Sequence, residues 1–401
     1  MDNQFKTPEE RKAERLKIAR RQRMIRTAAI LLAIVLSLAS LIQSCSTKKA
    51  VEDLAAQIAA KKAAQAAETL AVETEAAAAV PQVSAAPAAV SGDRTVTLSF
   101  VGDCILASYE GNTDSFSFER CYDLNGDSYF FKNVKSIFEG DDLTIANLEC
   151  SLATSTNRVE KSRTYQGDPS YVSILTGSSI DAVNIANDHA HDYGDEGHVD
   201  TLANLDTSGV ARFGNGYTKI LEADGIKVGF TGIDETDLGL SGARDELEET
   251  ILKLEADGAQ IIIVSFHWGE EGSSTPDEDM ISLAHAAIDA GADLVIGHHP
   301  GILQGIECYK EKYICYSLGS FLYGAETVCQ NMDTMIFQVE LVIDKTEVTT
   351  KDFYIIPCSV ASSATNDYCP TPLTGADAQR LLDKVYALSG ELDGGITREA
   401  E

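Results

Sequence analysis

At 401 residues the chain is too long for one ordinary small domain, and its 44% hydrophobic content suffices for a sizeable core. Its formal charge of -30 is uneven: residues 1–26 hold nine Lys/Arg against four Asp/Glu, a net +5, which leaves -35 on the remainder. A body that acidic repels nucleic acid and anionic lipid at long range, which argues against nucleic-acid binding.

Thr27–Ile42 carries no charge, and the uncharged stretch continues through Thr47, about the 20 residues a helix needs to cross a bilayer. We expect a single transmembrane anchor over 27–45, with the basic segment 1–26 in the cytoplasm and everything after it outside the cell membrane. A cleaved signal peptide is the alternative, but the charged leader is long for one. Ile42-Gln43-Ser44-Cys45 also resembles a lipoprotein processing box, in which Gln is a poor fit. Residues 46–92 are Ala-rich. Val51, Leu54, Ala55, Ile58, Ala59, Ala63 and Ala66 recur at helical spacing and predict a juxtamembrane helix, ended by a linker at Pro81–Pro87.

The main domain is expected over 93–365. Apolar runs predict strands at 95–102, 142–148, 181–186, 226–233, 259–266, 293–297, 313–318, 334–343 and 352–357. Helical patterns at 195–208, 243–257 and 278–289 lie between several of them and stop just before Gly209, Gly258 and Gly291. Strand–helix alternation of this kind argues an α/β fold, with the later strands added as hairpins. Residues 366–401 predict a last helix, 377–389, and an acidic tail. Of nine cysteines, eight lie beyond the expected span, an even count that permits disulfides. Cys308 and Cys315 flank an expected hairpin and are candidate cross-strand partners. Cys104 is a candidate buried free thiol.

Several strands end in residues that bind metals or hydrogen-bond. Asp103 and Glu149 close the first two, Asn187-Asp188-His189 closes the third, and His267 and His298-His299 close two later ones. In open α/β sheets the carboxyl ends of strands build the site, and Asp, Glu, Asn and His are the donor set of a hydrolytic metal centre. Each also has a plainer reading. An Asp at a strand end caps the next element, an Asn-Asp pair makes a turn, and a histidine closing an apolar run is a satisfied core residue with Trp268 as packing. Adjacent strand residues point opposite ways, so His298 and His299 share a pocket only if the chain turns there. His198 and His285 fall in expected helices and read as surface or packing residues.

In order along the chain stand Phe100-Val101-Gly102-Asp103, Ala146-Asn147-Leu148-Glu149, Ala186-Asn187-Asp188-His189 with Asp192-Tyr193-Gly194, Phe266-His267-Trp268-Gly269, Gly297-His298-His299-Pro300 and Tyr316-Ser317-Leu318-Gly319-Ser320-Phe321. This series resembles the bacterial capsule-synthesis CapA proteins, which are associated with poly-γ-glutamate and related to calcineurin-like metallophosphatases. The resemblance covers about residues 95–325. It implies a four-layer αββα sandwich of the metallophosphatase type with a centre for divalent ions (Mn, Zn or Fe), two or only one. Carried over by position, the implied metal ligands are Asp103, Glu149, Asn187, His267 and His299. His189 and His298 are implied as acid/base groups beside them. The implied chemistry is metal-assisted attack of water on a phosphorus ester.

Three positions depart from the pattern. Cys104-Ile105 follows Asp103 where metallophosphatases carry a histidine two residues on. Gly301 stands where a histidine is usual, and Ser320 where family members tend to carry Asn. His191 is a candidate substitute for the missing imidazole. The resemblance implies a membrane-anchored, extracytoplasmic protein that acts in making, exporting or attaching poly-γ-glutamate. Its expected partners are an anionic surface polymer, the membrane and other polymer-synthesis membrane proteins. A metal-dependent phosphoesterase acting on an envelope substrate, or a non-catalytic polymer-binding module, are the other readings. Arg163 is a candidate contact for the polyanion.

Overall fold

The computed structural model describes residues 94–112, 114–344 and 347–398. The basic segment 1–26, the expected span 27–45 and the Ala-rich stretch 46–92 lie outside the described residues. Among the described residues no helix is long and apolar enough to cross a membrane.

The strands begin with β1 (Arg94–Ile105), β2 (Leu143–Leu148), β3 (Ser151–Leu152), β4 (Gln166–Gly167), β5 (Ala182–Asn184) and β6 (Ala211–Phe213). β7 (Lys219–Ala223), β8 (Ile226–Asp234), β9 (Ile261–His267) and β10 (Leu294–His298) follow. The last are β11 (Ile306–Tyr309), β12 (Lys312–Cys315), β13 (Ser320–Tyr323), β14 (Asp333–Asp344), β15 (Glu347–Ser359) and β16 (Thr371–Pro372). The helices are α1 (Phe118–Asn125), α2 (Lys135–Phe138), α3 (Val172–Thr176), α4 (Gly194–Ser208), α5 (Glu235–Ala256), α6 (Glu278–Asp289) and α7 (Gly375–Ser389).

One sheet runs β16-β15-β14-β1-β2-β5-β6, with β13 also paired to the end of β1. The other runs β11-β12-β10-β9-β8-β7. In both, the strands that carry the expected site are parallel neighbours: β1, β2 and β5 in the first, β9 and β10 in the second, with β8 parallel beside β9.

Period-two alternation sorts the side chains into layers. In β9, Ile261 and Ile263 face the space between the sheets, where they join Val228, Phe230, Leu294 and Ile296 and meet Val96, Leu98, Phe100 and Ile145 of the first sheet. Ile262, Val264 and Phe266 face the other way, onto Leu247 and Ile251 of α5 and Leu283 of α6. On the far side of the first sheet, Leu148 and Val183 pack against Phe118, Ile174, Leu202 and Leu205. Three apolar layers thus separate helix, sheet, sheet and helix. Each large side chain fully buried in them contributes about 1.5–3 kcal/mol.

Local signals place the helices. The Asp277 side chain accepts from Met280 N at 2.8 Å and starts α6. Gly209, at φ 84°, ends α4 in the left-handed conformation that glycine adopts without a steric penalty. α5 starts eight residues earlier than its apolar pattern indicates, because Asp234 caps it at Thr236 N, and it kinks at Gly239. β15 is longer than expected at both ends. α7 puts Leu381 and Val385 into the layer between the sheets, so the C-terminal segment belongs to the same core.

The hairpin of β11 and β12 forms, but its register corrects the expected cysteine pairing. Cys308 lies opposite Tyr313 and Cys315 opposite Ile306, and all eight cysteines of the described residues are free. Cys104 is a buried thiol, pushed up in pKa by burial and by the neighbouring Asp103.

Candidate metal centre

Strand register brings the donors together. In the first sheet Phe100 pairs with Ile145 but Asp103 pairs with Asn147, so β1 holds one residue more than β2 over that span. That bulge turns Asp103 onto the face that Ile145 and Asn147 share, toward the second sheet. Gly102 makes the bulge possible. A Cβ there would stand 1.8 Å from the Gly319 carbonyl oxygen, which accepts from Asp103 N at 3.1 Å. In the second sheet His267 and His298 are register partners at the ends of β9 and β10, on the face of Ile263 and Ile296. His299 then takes φ 96°, so the chain turns there and both histidines reach the same region.

His299 Nδ1 lies 3.0 Å from His267 Nε2, which is itself 3.0 Å from Asp188 Oδ1. His298 Nδ1 stands 3.3 Å from Asp103 Oδ1 but off the line of an N–H bond, so its nitrogen has no aligned partner. Asn147 donates to Asp103 Oδ1 at 2.8 Å and approaches Glu149 Oε2 at 3.4 Å. His189 Nδ1 is 2.6 Å from Asp192 Oδ2, which also accepts from Tyr165 N. With its proton on Nδ1, His189 presents a free Nε2 lone pair, 3.6 Å from Asp188 and 4.0 Å from Glu149.

Three overlapping donor triads result: Asp103, Glu149 and His267; Asp188, His267 and His299; Glu149, Asp188 and His189. Within each, one donor atom per residue lies within 4.8 Å of the others. The charges also fit a cation. Burial pushes the Glu149 carboxyl well up, and Asp103 and Asp188 add to it. Burial acts the same way on Asp103 and Asp188, but His298 and His267 hold Asp103 below its usual value, and His267, His189 and Lys161 hold Asp188 far below. Burial and the neighbouring His267 lower His299, favouring the neutral imidazole that a metal takes. His267 is fully buried with no partner at Nδ1. Carboxylates and imidazoles crowded together, largely out of water, suit a borderline divalent ion.

The sequence matches the family model of the bacterial capsule synthesis protein PGA_cap over residues 97–325. This chain belongs to that family. Every PGA_cap residue named above as a donor falls inside the matched span. The chain is 29% identical over 251 residues to the PGA biosynthesis protein CapA of Bacillus subtilis, a match covering 58% of this chain and 64% of that protein, just under two thirds. It is 26% identical over 318 residues to the capsule biosynthesis protein CapA of Bacillus anthracis, covering 73% and 72% respectively. Among solved structures, the calcineurin-like phosphoesterase YfkN from Bacillus subtilis is 16% identical, with a TM-score of 0.40, over 69% of this chain and 95% of that one.

Of the expected residues in this PGA_cap protein, Asp103, Glu149, His189, His267 and His299 converge on the donor triads. His298 stands beside them, against Asp103. The Asn187 amide is committed elsewhere: Nδ2 donates to Leu148 O at 2.9 Å and to Asn147 Oδ1 at 3.2 Å, while Oδ1 accepts from His189 N. Asp188, one residue on, brings its carboxylate into two triads instead. Spacing leaves the Asn-Asp pair ambiguous, because the turn after β5 decides which side chain faces the cluster.

Lys161 is a second residue the sequence does not flag. It donates to the Asp188 carboxylate at 2.5 Å from the loop between β3 and β4. His191 enters none of the three triads; it stacks on His198 at 4.2 Å and lies 3.5 Å from Asp195. His198 is buried in α4, and His285 pairs with Glu307 at 2.7 Å, both as packing residues. Gly301 has φ 68°, and a Cβ built there finds nothing nearer than Ser320 Oγ at 3.7 Å.

Proposed function

We propose that this PGA_cap protein is a membrane-anchored, extracytoplasmic accessory factor for an anionic capsule polymer of the poly-γ-glutamate type, working with a divalent ion at the strand-end cluster. The observation that carries the reading is the sharing of His267, Asp188 and Glu149 among three donor triads, one of them buried throughout. The family match supports the polymer, since both CapA relatives are named for capsule or PGA biosynthesis. Asp103, Glu149, Asp188, His267 and His299 would hold the ion. When bound, it supplies Lewis-acid polarisation of a carbonyl or phosphoryl oxygen. The chain's own contribution is proton handling and exclusion of water. Asp192 fixes the His189 ring so that Nε2 faces the cluster and can accept or return a proton. The apolar layer behind the histidines closes the site on its inner side, while Asp188 and His299 stay partly exposed at its mouth.

The test uses the full-length chain with Mn²⁺ or Zn²⁺, a poly-γ-glutamate retention assay and a phosphodiester probe. Metal-dependent retention of the polymer, abolished in His267→Ala, is the expected result. Retention that is equal in EDTA sinks it. The His189–Asp192 pair favours a second reading, a metal-dependent hydrolase of an envelope ester. Turnover of the phosphodiester that disappears in both His267→Ala and His189→Ala would establish that one. The orientation is tested by protease added to intact cells, which should remove the acidic domain and spare residues 1–26.

A further inference from the structure

Two cavities flank the donor cluster, and each has one cation among the described residues that line it. The first, about 590 Å³, is bordered by Asn187, Asp188 and Asp192 and contains Lys161. The second, about 410 Å³, passes Pro300 and Gly301, the residues after His299, and contains Arg163. It also passes Ser320, the register partner of Asp103.

The cations differ in how they are held. Lys161 donates to the Asp188 carboxylate at 2.5 Å and to the Asp188 backbone oxygen at 2.8 Å, and lies 3.5 Å from Asp192 Oδ1. Two acids and a carbonyl already satisfy its ammonium. Arg163 has one acid partner, Glu326, at 2.9 Å, and a neutral one, the Tyr323 hydroxyl, at 3.2 Å. Its side chain remains 45% exposed. A guanidinium carries five N–H donors in a planar fork, so donors remain for a ligand beyond those that Glu326 and the Tyr323 and Tyr165 hydroxyls engage. Tyr109 lies under it, 5.6 Å from ring centroid to guanidinium carbon, and steadies it. An ion pair this exposed is weak enough to exchange partners.

Glu326 shows what the position accepts, since it is itself a glutamate carboxylate docked on the fork. Gly301 leaves space beside it, because it has no side chain and only Ser320 Oγ, at 3.7 Å, and the His299 carbonyl oxygen, at 3.9 Å, come near where a Cβ would stand. Resting on the polymer reading above, we propose that this groove is the subsite for a carboxylate of the acidic polymer. Arg163 recognises that carboxylate, and Glu326 occupies Arg163 until the polymer displaces it. A body carrying -35 outside its N-terminal segment needs such a local cation to hold a polyanion at all.

The experiment is calorimetric titration of the full-length, Mn²⁺-loaded protein with a γ-linked glutamate oligomer, and with the γ-linked isoglutamine oligomer, whose α-carboxyls are carboxamides, as an uncharged control. Arg163→Gln should weaken binding of the acidic oligomer by about tenfold or more, the loss expected of a charge-assisted pair. Arg163→Lys should fall between, keeping the charge but not the fork. Glu326→Gln should tighten binding about two- to fivefold by removing the internal competitor. Metal content measured on the same samples should match wild type in all three. Arg163→Gln binding at wild-type strength, or Glu326→Gln binding no tighter, overturns the subsite alone. A wild-type protein that binds neither oligomer overturns the polymer reading and the subsite together.

Discussion

The two sheets supply opposite halves of the site. From the first come the carboxylates, the amides and one imidazole: Asp103, Asn147, Glu149, Asn187, Asp188 and His189, at or after the ends of β1, β2 and β5. From the second come imidazoles: His267, His298 and His299, at the ends of β9 and β10. Acids alone would repel one another, as at Glu149, which burial raises first and Asp103 and Asp188 raise further, and buried histidines alone would lack a counter-charge. Contact between the halves depends on the apolar layer between the sheets, so the chemistry is hostage to the packing.

The largest effect should come from breaking that packing. Phe230 is fully buried between the sheets and stacks on Phe213 at 5.4 Å. Phe230→Ala should cost about 3–5 kcal/mol in urea unfolding, and metal affinity should fall with it. Cutting one half of the site comes next. His267→Ala should weaken Mn²⁺ or Zn²⁺ binding by about a hundredfold or more, beyond what loss of a supporting hydrogen bond to a ligand does. Its urea midpoint should move far less than that of Phe230→Ala. Equal loss of stability in the two variants would show that His267 is a core residue and not a donor.

His198 sharpens the comparison, being a buried histidine on the acid-bearing side but outside the cluster. Burial, aided by His191, lowers its pKa to about 4. A histidine whose folded pKa is depressed resists protonation that the unfolded chain accepts. Its stability contribution is present above about pH 6.5 and is lost as pH falls toward 4. By linkage the loss at pH 5 is about 2 kcal/mol. Unfolding measured in EDTA at pH 7 and pH 5 should show it in wild type and not in His198→Gln. Gly301→Ala should have the smallest effect. The space is open, so only the left-handed backbone opposes it, at about 1 kcal/mol, with metal content unchanged.

Strand ends were legible because a buried parallel strand is a short apolar run, and Asp103, Glu149, His267 and His298 each close one. The α4 and α6 segments were legible from helical spacing and a terminal glycine. Three things were not. The bulge at Gly102 shows only in the pairing of β1 with β2. The choice between Asn187 and Asp188 depends on a turn that commits one amide to Leu148 and His189. Lys161 comes from a loop without periodicity, far in sequence from most of what it touches. The Cys308–Cys315 pairing failed for a related reason, since proximity in a hairpin does not specify register.

By itself the sequence determined the class of the fold, the order of the strands that carry donors, the family and the chemical types of those donors. Composition and local period are enough for that, because burial and helical or strand geometry act over a few residues. Only the tertiary structure decided which donor atoms meet, with Asp188 inside the cluster, Asn187 holding the backbone beside it, and both His298 and His299 present. Those outcomes depend on one extra residue in β1 and one positive φ after β10, and neither has energetic meaning until the two sheets face each other.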